Sequence, residues 1–268
     1  MLGGFDGMHL GHRRLLARAK GLGKSVGVSV IVGNKGKPLY TETERERLFA
    51  SLGVSVLVDF PFEEICKLSP EEFIEFIKKE LAPSAYVCGE DFRFGYGAKG
   101  DGETLKERSA VPVFVEPLLY LNGEKVGTGK IKALLADGKI EEANTLLGEP
   151  FFLVGKVERG RQVGNEIGFP TANILYPTEK FPIKEGVYQT LAVVDGKEYK
   201  GITNFGARPT FGNDEVWTET HILDFSGDLY GKTLMLSFVR YLREVKKFES
   251  VEALQKQLTE DKENARGY

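Results

Sequence analysis

The sequence predicts an α/β domain with a parallel sheet over residues 1–148 and an antiparallel β-barrel with a carboxyl-terminal helix over residues 149–268. In the first part, short buried-strand patterns alternate with helix patterns, which is typical of parallel sheets covered by helices. In the second part, strand patterns follow one another and a single amphipathic helix comes last, which favours a closed barrel. The pattern changes at Gly148-Glu149-Pro150, so we place the domain boundary there.

The first domain is predicted from its buried strands and its helix-capping residues. Thr41 with Glu44 and Ser69 with Glu72 have the spacing of capping boxes, so one helix should begin after each threonine or serine. The remaining predicted elements of this domain are strands at residues 26–32, 54–59, 85–88 and 110–116 and short helices at residues 130–136 and 140–147.

The second domain is predicted from its turns. Asp195-Gly196 indicates a two-residue hairpin between strands at residues 187–194 and 197–203. We expect a second hairpin to join residues 219–225 and 233–241 around Ser226-Gly227-Asp228, and a helix to cover residues 251–264.

The composition argues against several classes of protein. A chain of 268 residues can form two cores, and its 36 basic residues nearly balance its 39 acidic ones. Balanced charge argues against a nucleic-acid-binding surface. Cys66 and Cys88 fit neither a metal-binding spacing nor a disulfide framework. The apolar runs are too short to span a membrane and residues 1–4 lack the pattern of a signal peptide, so we expect a cytoplasmic protein.

The amino-terminal motif contains two histidines between glycines, in Gly4-Phe5-Asp6-Gly7-Met8-His9-Leu10-Gly11-His12. An amphipathic stretch follows, so His9 and His12 should lie together at the positive end of a helix. Two imidazoles there can bind phosphates and stabilise charge on a phosphoryl group that is being transferred. The alternative is structural, with one histidine capping the helix and the other packing in the core.

The second domain has a pattern suited to phosphoryl transfer. Gly160, Gly164 and Gly168 are spaced by four residues, with arginines at 159 and 161, as in a cationic flap that lies on phosphates. Thr171 and Asn173 are two residues apart on a predicted strand, so both side chains can reach one ion or phosphate. Farther along, Glu219 could accept a proton from a hydroxyl nucleophile. The alternative is a Gly- and Pro-rich β-domain with ordinary turns.

These motifs resemble those of bacterial bifunctional riboflavin kinase/FAD synthetases. The kinase module is similar over residues 151–268, and the amino-terminal motif resembles the adenylyltransferase module. The segments that carry the resemblance are Phe5-Asp6-Gly7-Met8-His9-Leu10-Gly11-His12, Gly89-Glu90-Asp91-Phe92-Arg93-Phe94-Gly95, Gly168-Phe169-Pro170-Thr171-Ala172-Asn173, Asn204-Phe205-Gly206-Ala207-Arg208-Pro209-Thr210, Glu219 with His221-Ile222-Leu223-Asp224-Phe225, Asp228-Leu229-Tyr230-Gly231-Lys232 and Leu242-Arg243.

The resemblance implies phosphorylation of riboflavin by Mg-ATP and then adenylylation of FMN to FAD, with riboflavin, FMN, FAD and ATP as its ligands. It implies that Thr171 and Asn173 hold Mg²⁺ and the ATP phosphates, that Glu219 is the base, and that the flap closes over the nucleotide. It further implies that His9 and His12 stabilise the α-phosphate. The other nucleotide- and flavin-binding residues it implies are Gly4, Phe5, Asp6, Gly7, Asp91, Arg93, Thr128, Lys132, Gly160, Gly164, Gly168 and Arg243.

The sequence departs from the family pattern in its first half. Residues 1–4 offer little of the hydrophobic strand that precedes the histidine motif in the family, and residues 33–38 form a shorter loop without Pro-His-Pro. In Gly127–Lys132, Thr128 is the one hydroxyl and a lysine replaces an arginine. We therefore expect FMN to be made more readily than FAD. The alternatives are a riboflavin kinase with a degenerate adenylyltransferase domain and a non-catalytic flavin-binding regulatory protein.

Overall fold

The computed structural model describes residues 1–33, 36–160, 169–207 and 215–266. The chain forms two compact units, Met1–Thr128 and Gly129–Tyr268. The functional boundary between residues 148 and 149 stays a prediction, and the two short helices that precede it pack in the second unit.

The first unit has the parallel sheet and covering helices that the sequence predicts. Strands β1, β2 and β3 form one parallel sheet in that order, and β4 pairs in parallel with β7. Two short antiparallel ribbons, β5–β6 and β8–β9, extend from it. Its strands are β1 (Leu2–Gly3), β2 (Gly27–Val32), β3 (Val56–Pro61), β4 (Tyr86–Gly89), β5 (Arg93–Phe94), β6 (Gly100–Asp101), β7 (Val113–Glu116), β8 (Tyr120–Leu121) and β9 (Glu124–Lys125), and its helices are α1 (Leu10–Gly21), α2 (Glu42–Ser51), α3 (Phe62–Ile65), α4 (Pro70–Leu81) and α5 (Gly102–Arg108).

The predicted capping boxes start two of these helices. The Thr41 hydroxyl accepts from the Glu44 backbone N–H before α2, and the Ser69 hydroxyl accepts from Glu72 in the same way before α4. Each box satisfies backbone donors that a helix start leaves unpaired. The first strand, β1, contains two residues and pairs with Ser29 and Val30 of β2, and the histidine motif follows directly after it.

The second unit is a nearly closed antiparallel barrel, as predicted. Its strands are β10 (Phe151–Lys156), β11 (Ala172–Leu175), β12 (Gly186–Val194), β13 (Lys197–Ala207), β14 (Val216–Ile222) and β15 (Thr233–Arg243), and its helices are α6 (Thr128–Ala136), α7 (Ile140–Leu147) and α8 (Val251–Arg266). The strand order is β10-β15-β12-β13-β14-β11. The Glu158 N–H donates to the Asn173 carbonyl at 2.8 Å, which brings the two edge strands together.

The first predicted hairpin is confirmed and the second is wrong. Asp195 and Gly196 have φ angles of 48° and 80°, as a tight turn between β12 and β13 requires. In contrast, β14 pairs with β11 and β13, whereas β15 pairs with β10 and β12. The reason is that residues 223–232 form a long connection rather than a tight turn. The Leu223 N–H donates to the Lys200 carbonyl of β13, and the Lys232 carbonyl accepts from the N–H of Val157, which follows β10.

The two faces of the barrel wall are built differently. Inside, the hydroxyl groups of Thr190, Thr203 and Thr220 form a buried chain of hydrogen bonds, each 2.8 Å long. Outside, α8 covers an apolar patch, and Ala265 of this helix packs there against the barrel. The barrel residues of the patch are Val187, Ile202, Leu223 and Leu242.

Asn144 of helix α7 forms hydrogen bonds to two strands of the barrel. The Asn144 carboxamide donates to the Phe238 carbonyl at 2.9 Å and accepts from the Phe151 N–H at 2.8 Å. Because Phe151 begins β10 and Phe238 lies opposite it in β15, this residue joins two strands. Residues before the predicted boundary therefore contribute directly to the barrel.

Candidate active sites

The two histidines of the first unit lie together at the start of α1. His9 is the residue that caps the helix, and its Nδ1 accepts from the His12 backbone N–H at 3.3 Å. The two imidazole rings are stacked, with centroids 3.6 Å apart and planes 17° apart. The His12 Nδ1 lies 2.6 Å from the Gly7 carbonyl, so His12 donates from this nitrogen. The predicted pairing of the histidines at one helix end is confirmed in geometry.

Burial determines the charge of His9. Its side chain is 7% exposed, and this burial lowers the pKa of His9 to about 4. The imidazole is therefore neutral at pH 7, and because Nδ1 accepts a hydrogen bond, Nε2 carries the proton. His9 thus has a neutral Nε2–H donor.

Gly7 and Gly11 let the backbone around the histidines pack closely against neighbouring aromatic rings. A Cβ at Gly11 would lie 3.1 Å from the His9 ring, and a Cβ at Gly7 would lie 3.2 Å from the Tyr40 ring. The Asp6 carboxylate accepts from the Leu39 N–H at 2.6 Å, which ties this loop to the segment before α2.

Other residues of the motif have supporting positions. Phe5 is fully buried and its ring meets the His12 ring edge-on at 4.6 Å, so it packs beneath the histidines. The Gly4 carbonyl accepts from the Asp6 N–H at 2.7 Å, which tightens the loop.

Asp91 lies in the exposed turn after β4, and Arg93 is the first residue of β5. The Asp91 carboxylate pairs with Lys125 of β9 at 2.7 Å. Burial has the largest effect on the pKa of His9 and a backbone hydrogen bond the second largest, while the nearby charge of Asp91 raises this pKa and that of Lys125 lowers it. Arg93 donates to the carbonyls of Glu90 and Phe92. Lys125 was not predicted from the sequence, because only the fold brings β9 near the histidines.

Thr128 and Lys132 are the first and fifth residues of α6. Thr128 is half-buried, and the Lys132 ammonium lies 5.6 Å from the centroid of the Phe181 ring in the second unit. Their predicted nucleotide-binding roles stay predictions.

The candidate kinase site is a row of polar residues across the barrel wall. Asn173 of β11 lies opposite Glu219 of β14, and Glu219 lies opposite Asn204 of β13. Residues that are directly opposite in antiparallel strands point to the same face. The register continues to Val187 of β12 and Arg243 of β15, on the outer face that α8 covers. Asn204 belongs to this row, although the sequence did not single it out as a site residue.

Asn173 is held from two sides. Its Nδ2 donates to the Thr171 carbonyl at 3.2 Å, and the side chain is 4% exposed. A Cβ at Gly160 would lie 2.5 Å from the same nitrogen, so a larger residue there would have to displace the Asn173 side chain. Thr171 itself precedes β11 and is half-buried. Gly164 and Gly168 of the predicted flap lie outside the described residues.

Arg243 fixes α8 to the barrel. Its Nε and Nη2 donate to the two carboxylate oxygens of Asp261 at 3.0 and 2.7 Å. Asp261 is 2% exposed, so this pair is buried and each charge depends on the other. The predicted contact of Arg243 with the flavin stays a prediction, whereas its structural contact with Asp261 could not be seen in the sequence.

His221 was not predicted as a site residue. It lies two residues after Glu219, and its Nδ1 donates to the Pro170 carbonyl at 2.9 Å. Its ring meets the Phe169 ring edge-on at 5.1 Å. Burial lowers the pKa of His221, against the effect of the carbonyl it contacts. The sequence signal that could have found His221 is its spacing of two residues from Glu219 on a predicted strand, which puts both side chains on the same face.

The polar row offers carboxamide and carboxylate groups, from Asn173, Glu219 and Asn204. Within the described residues, no group of three or more His, Cys, Asp or Glu side chains could hold a metal ion.

Every helix in the described part of the chain is too short or too polar to cross a membrane.

Comparison with known proteins matches both halves of the chain. The family model for riboflavin kinase matches residues 147–268, and the model for FAD synthetase matches residues 1–129. The bifunctional riboflavin kinase/FMN adenylyltransferase of Bacillus subtilis is 32% identical over 100% of this chain and 91% of its own length. The enzyme of the same name from Pseudomonas fluorescens is 32% identical over 99% of this chain and 91% of its length.

A solved structure has the same fold over the whole chain. This Streptococcus pneumoniae crystal structure, named as a macrolide-efflux protein, has a TM-score of 0.89 and 28% identity. The match covers 100% of this chain and 93% of that one.

Proposed function

Because the chain belongs to the family of bifunctional riboflavin kinase/FMN adenylyltransferases, we propose how its residues divide the two reactions. The protein is an enzyme of flavin cofactor biosynthesis: it phosphorylates riboflavin to FMN with ATP and then adenylylates FMN to FAD. Matches to both modules favour this function over the two alternatives raised from the sequence. We also assign the enzyme to the cytoplasm, where ATP is available.

Glu219 is the base of the kinase reaction. The observation that carries this assignment is its place between Asn173 and Asn204, where a hydroxyl group of the ribityl chain would meet polar groups on both sides. The ribityl oxygen forms a bond to the γ-phosphorus of ATP while the bond to ADP breaks. The hydroxyl proton passes to the Glu219 carboxylate.

Thr171 and Asn173 hold Mg²⁺ and the ATP phosphates. Hydroxyl and carboxamide oxygens suit this cation, which commonly uses few protein ligands together with substrate phosphates. The close fit of Gly160 against Asn173 supports the assignment, because it fixes the carboxamide in one position. Mg²⁺ bound there would neutralise charge on the transferred phosphoryl group.

His9 and His12 act in adenylyl transfer. The FMN phosphate oxygen forms a bond to the α-phosphorus of ATP, and pyrophosphate leaves. The neutral His9 donates its Nε2–H to an oxygen of the reacting phosphates, while His12 is oriented by its bond to the Gly7 carbonyl. Gly7 and Gly11 permit the close packing against the Tyr40 and His9 rings that holds this loop in place.

The test separates the two activities in one protein. Flavins are resolved by chromatography after incubation with riboflavin, ATP and Mg²⁺, or with FMN, ATP and Mg²⁺. Glu219→Gln should lower FMN formation by about 100-fold or more, while FAD formation from supplied FMN is unchanged. Glu198→Gln, an exposed carboxylate on β13, is the matched control. Near-normal FMN formation by Glu219→Gln would refute the assignment.

The functional domains are proposed to separate near residues 148–149. A fragment of residues 149–268 should make FMN and no FAD, and a fragment of residues 129–268 keeps α7 and all but the first residue of α6 for comparison. If only the longer fragment makes FMN, the functional boundary lies near residue 129.

A further inference from the structure

His221 supports the chain at the point where the β-ladder stops. Pairing between β11 and β14 begins at Ala172, which lies opposite Thr220. Pro170 has no N–H and cannot donate a ladder hydrogen bond. Its carbonyl is bound instead by the His221 side chain, from the strand on which the pairing has just ended.

The same imidazole holds a second residue of this segment. The edge-to-face contact of His221 with Phe169 packs the ring against the residue before Pro170. One side chain therefore fixes two consecutive residues, which are 52 and 51 positions away in sequence.

This support extends to the proposed metal and phosphate ligands. Thr171 follows Pro170 directly, and its carbonyl accepts from the Asn173 side chain. The φ angle of Pro170 is fixed by its ring, and the bond from His221 to its carbonyl holds the peptide plane that leads to Thr171. A path of direct contacts thus leads from His221 through Pro170 and Thr171 to Asn173.

We propose that His221 is a positioning residue of the kinase: its Nδ1–H holds the Pro170 carbonyl and so presents Thr171 and Asn173 to Mg-ATP. The inference rests on the proposed role of Thr171 and Asn173 in binding Mg-ATP. It assigns His221 no contact with either substrate, so its effect should fall on the use of Mg-ATP and not on the affinity for riboflavin.

Three variants of the full chain separate the hydrogen bond from the ring contact. His221→Asn keeps an N–H donor near the position of Nδ1, His221→Phe keeps the ring against Phe169 without a donor, and His221→Ala removes both. His221→Phe and His221→Ala should raise the KM for Mg-ATP by about 3- to 10-fold, the loss typical of one hydrogen bond. His221→Asn should stay within about 2-fold of the parent chain, and the KM for riboflavin should not change in any variant.

FAD formation from supplied FMN uses the first unit and is the internal control for enzyme concentration, while an unchanged KM for riboflavin shows that the second unit is folded. Equal KM values for Mg-ATP in His221→Phe and the parent chain would overturn the inference. So would equal impairment of His221→Asn and His221→Phe, or a rise in the riboflavin KM alone. Asn173→Ala distinguishes the two levels of proposal. If it leaves the KM for Mg-ATP unchanged, the proposed function fails, whereas an impaired Asn173→Ala beside a normal His221→Phe refutes only the role of His221.

Discussion

The burial of His9 predicts that the first unit loses stability in mild acid. The pKa of His9 is 6.5 in the unfolded chain and about 4 in the folded one. Between pH 6.5 and pH 4 the unfolded state binds the proton more tightly than the folded state. The contribution of neutral His9 to the free energy of unfolding is therefore fully present above pH 6.5 and is lost as the pH falls towards 4. The full loss is about 3 kcal/mol, of which about 2 kcal/mol falls between pH 7 and pH 5.

His9→Asn is the matched variant for this prediction. Asparagine is a good helix cap and its oxygen can accept from the same backbone N–H, but it does not titrate. Urea unfolding at pH 7 and pH 5 is followed by circular dichroism, while fluorescence of the sole tryptophan, Trp217 on β14, reports on the second unit. The stability of the parent chain should fall by about 2 kcal/mol more than that of His9→Asn. Parallel pH dependences would refute the reasoning.

Imidazole NMR tests the same prediction directly. The chain has three histidines, His9, His12 and His221, so each can be assigned by substitution. The His9 ring should keep its Nε2–H neutral form down to about pH 4. Titration of His9 near pH 6.5 would contradict the burial argument and the proposed neutral donor.

Three further changes have clear expected outcomes. Gly160→Ala should displace the Asn173 carboxamide and lower FMN formation by about 100-fold, with FAD formation from FMN unchanged in the same flavin assay. Asn144→Ala leaves a buried backbone donor and acceptor unpaired, so urea unfolding followed by Trp217 should show a loss of about 1–3 kcal/mol per group; an unchanged midpoint would contradict the tie of α7 to the barrel. Arg243→Met leaves the buried Asp261 carboxylate without its charged partner and should destabilise the second unit by about 3–5 kcal/mol in urea unfolding; an unchanged midpoint would refute the role of this pair in holding α8.

Local signals made much of the fold predictable. Capping boxes before α2 and α4 involve residues three apart, and the turn at Asp195-Gly196 joins adjacent strands, so the sequence contains the whole interaction. The partners of β14 and β15 could not be predicted in this way. Their pairing depends on the order of all six strands, and a glycine between two strand patterns does not specify that order.

The candidate sites show the same division. The spacing of His9 and His12 predicts their shared helix end, but the neutral state of His9 depends on how deeply the fold buries it. The bond of His221 to Pro170 joins residues 51 positions apart, and such a contact has no signal in a single sequence. The roles of these residues are implied by resemblance to a family, whereas contacts of this kind are visible only in the folded structure.

Because the polar row of the barrel depends on strand register, a deletion should have different effects on the site in different segments. Deleting one residue of β14 ahead of Glu219 would turn its carboxylate towards the interior, where Thr218 and Thr220 are buried, because side chains alternate along a strand. The same deletion in the connection at residues 223–232 leaves every member of the row in register. Active relatives should therefore vary in length in that connection and keep β14 at constant length, even where most of its residues are replaced.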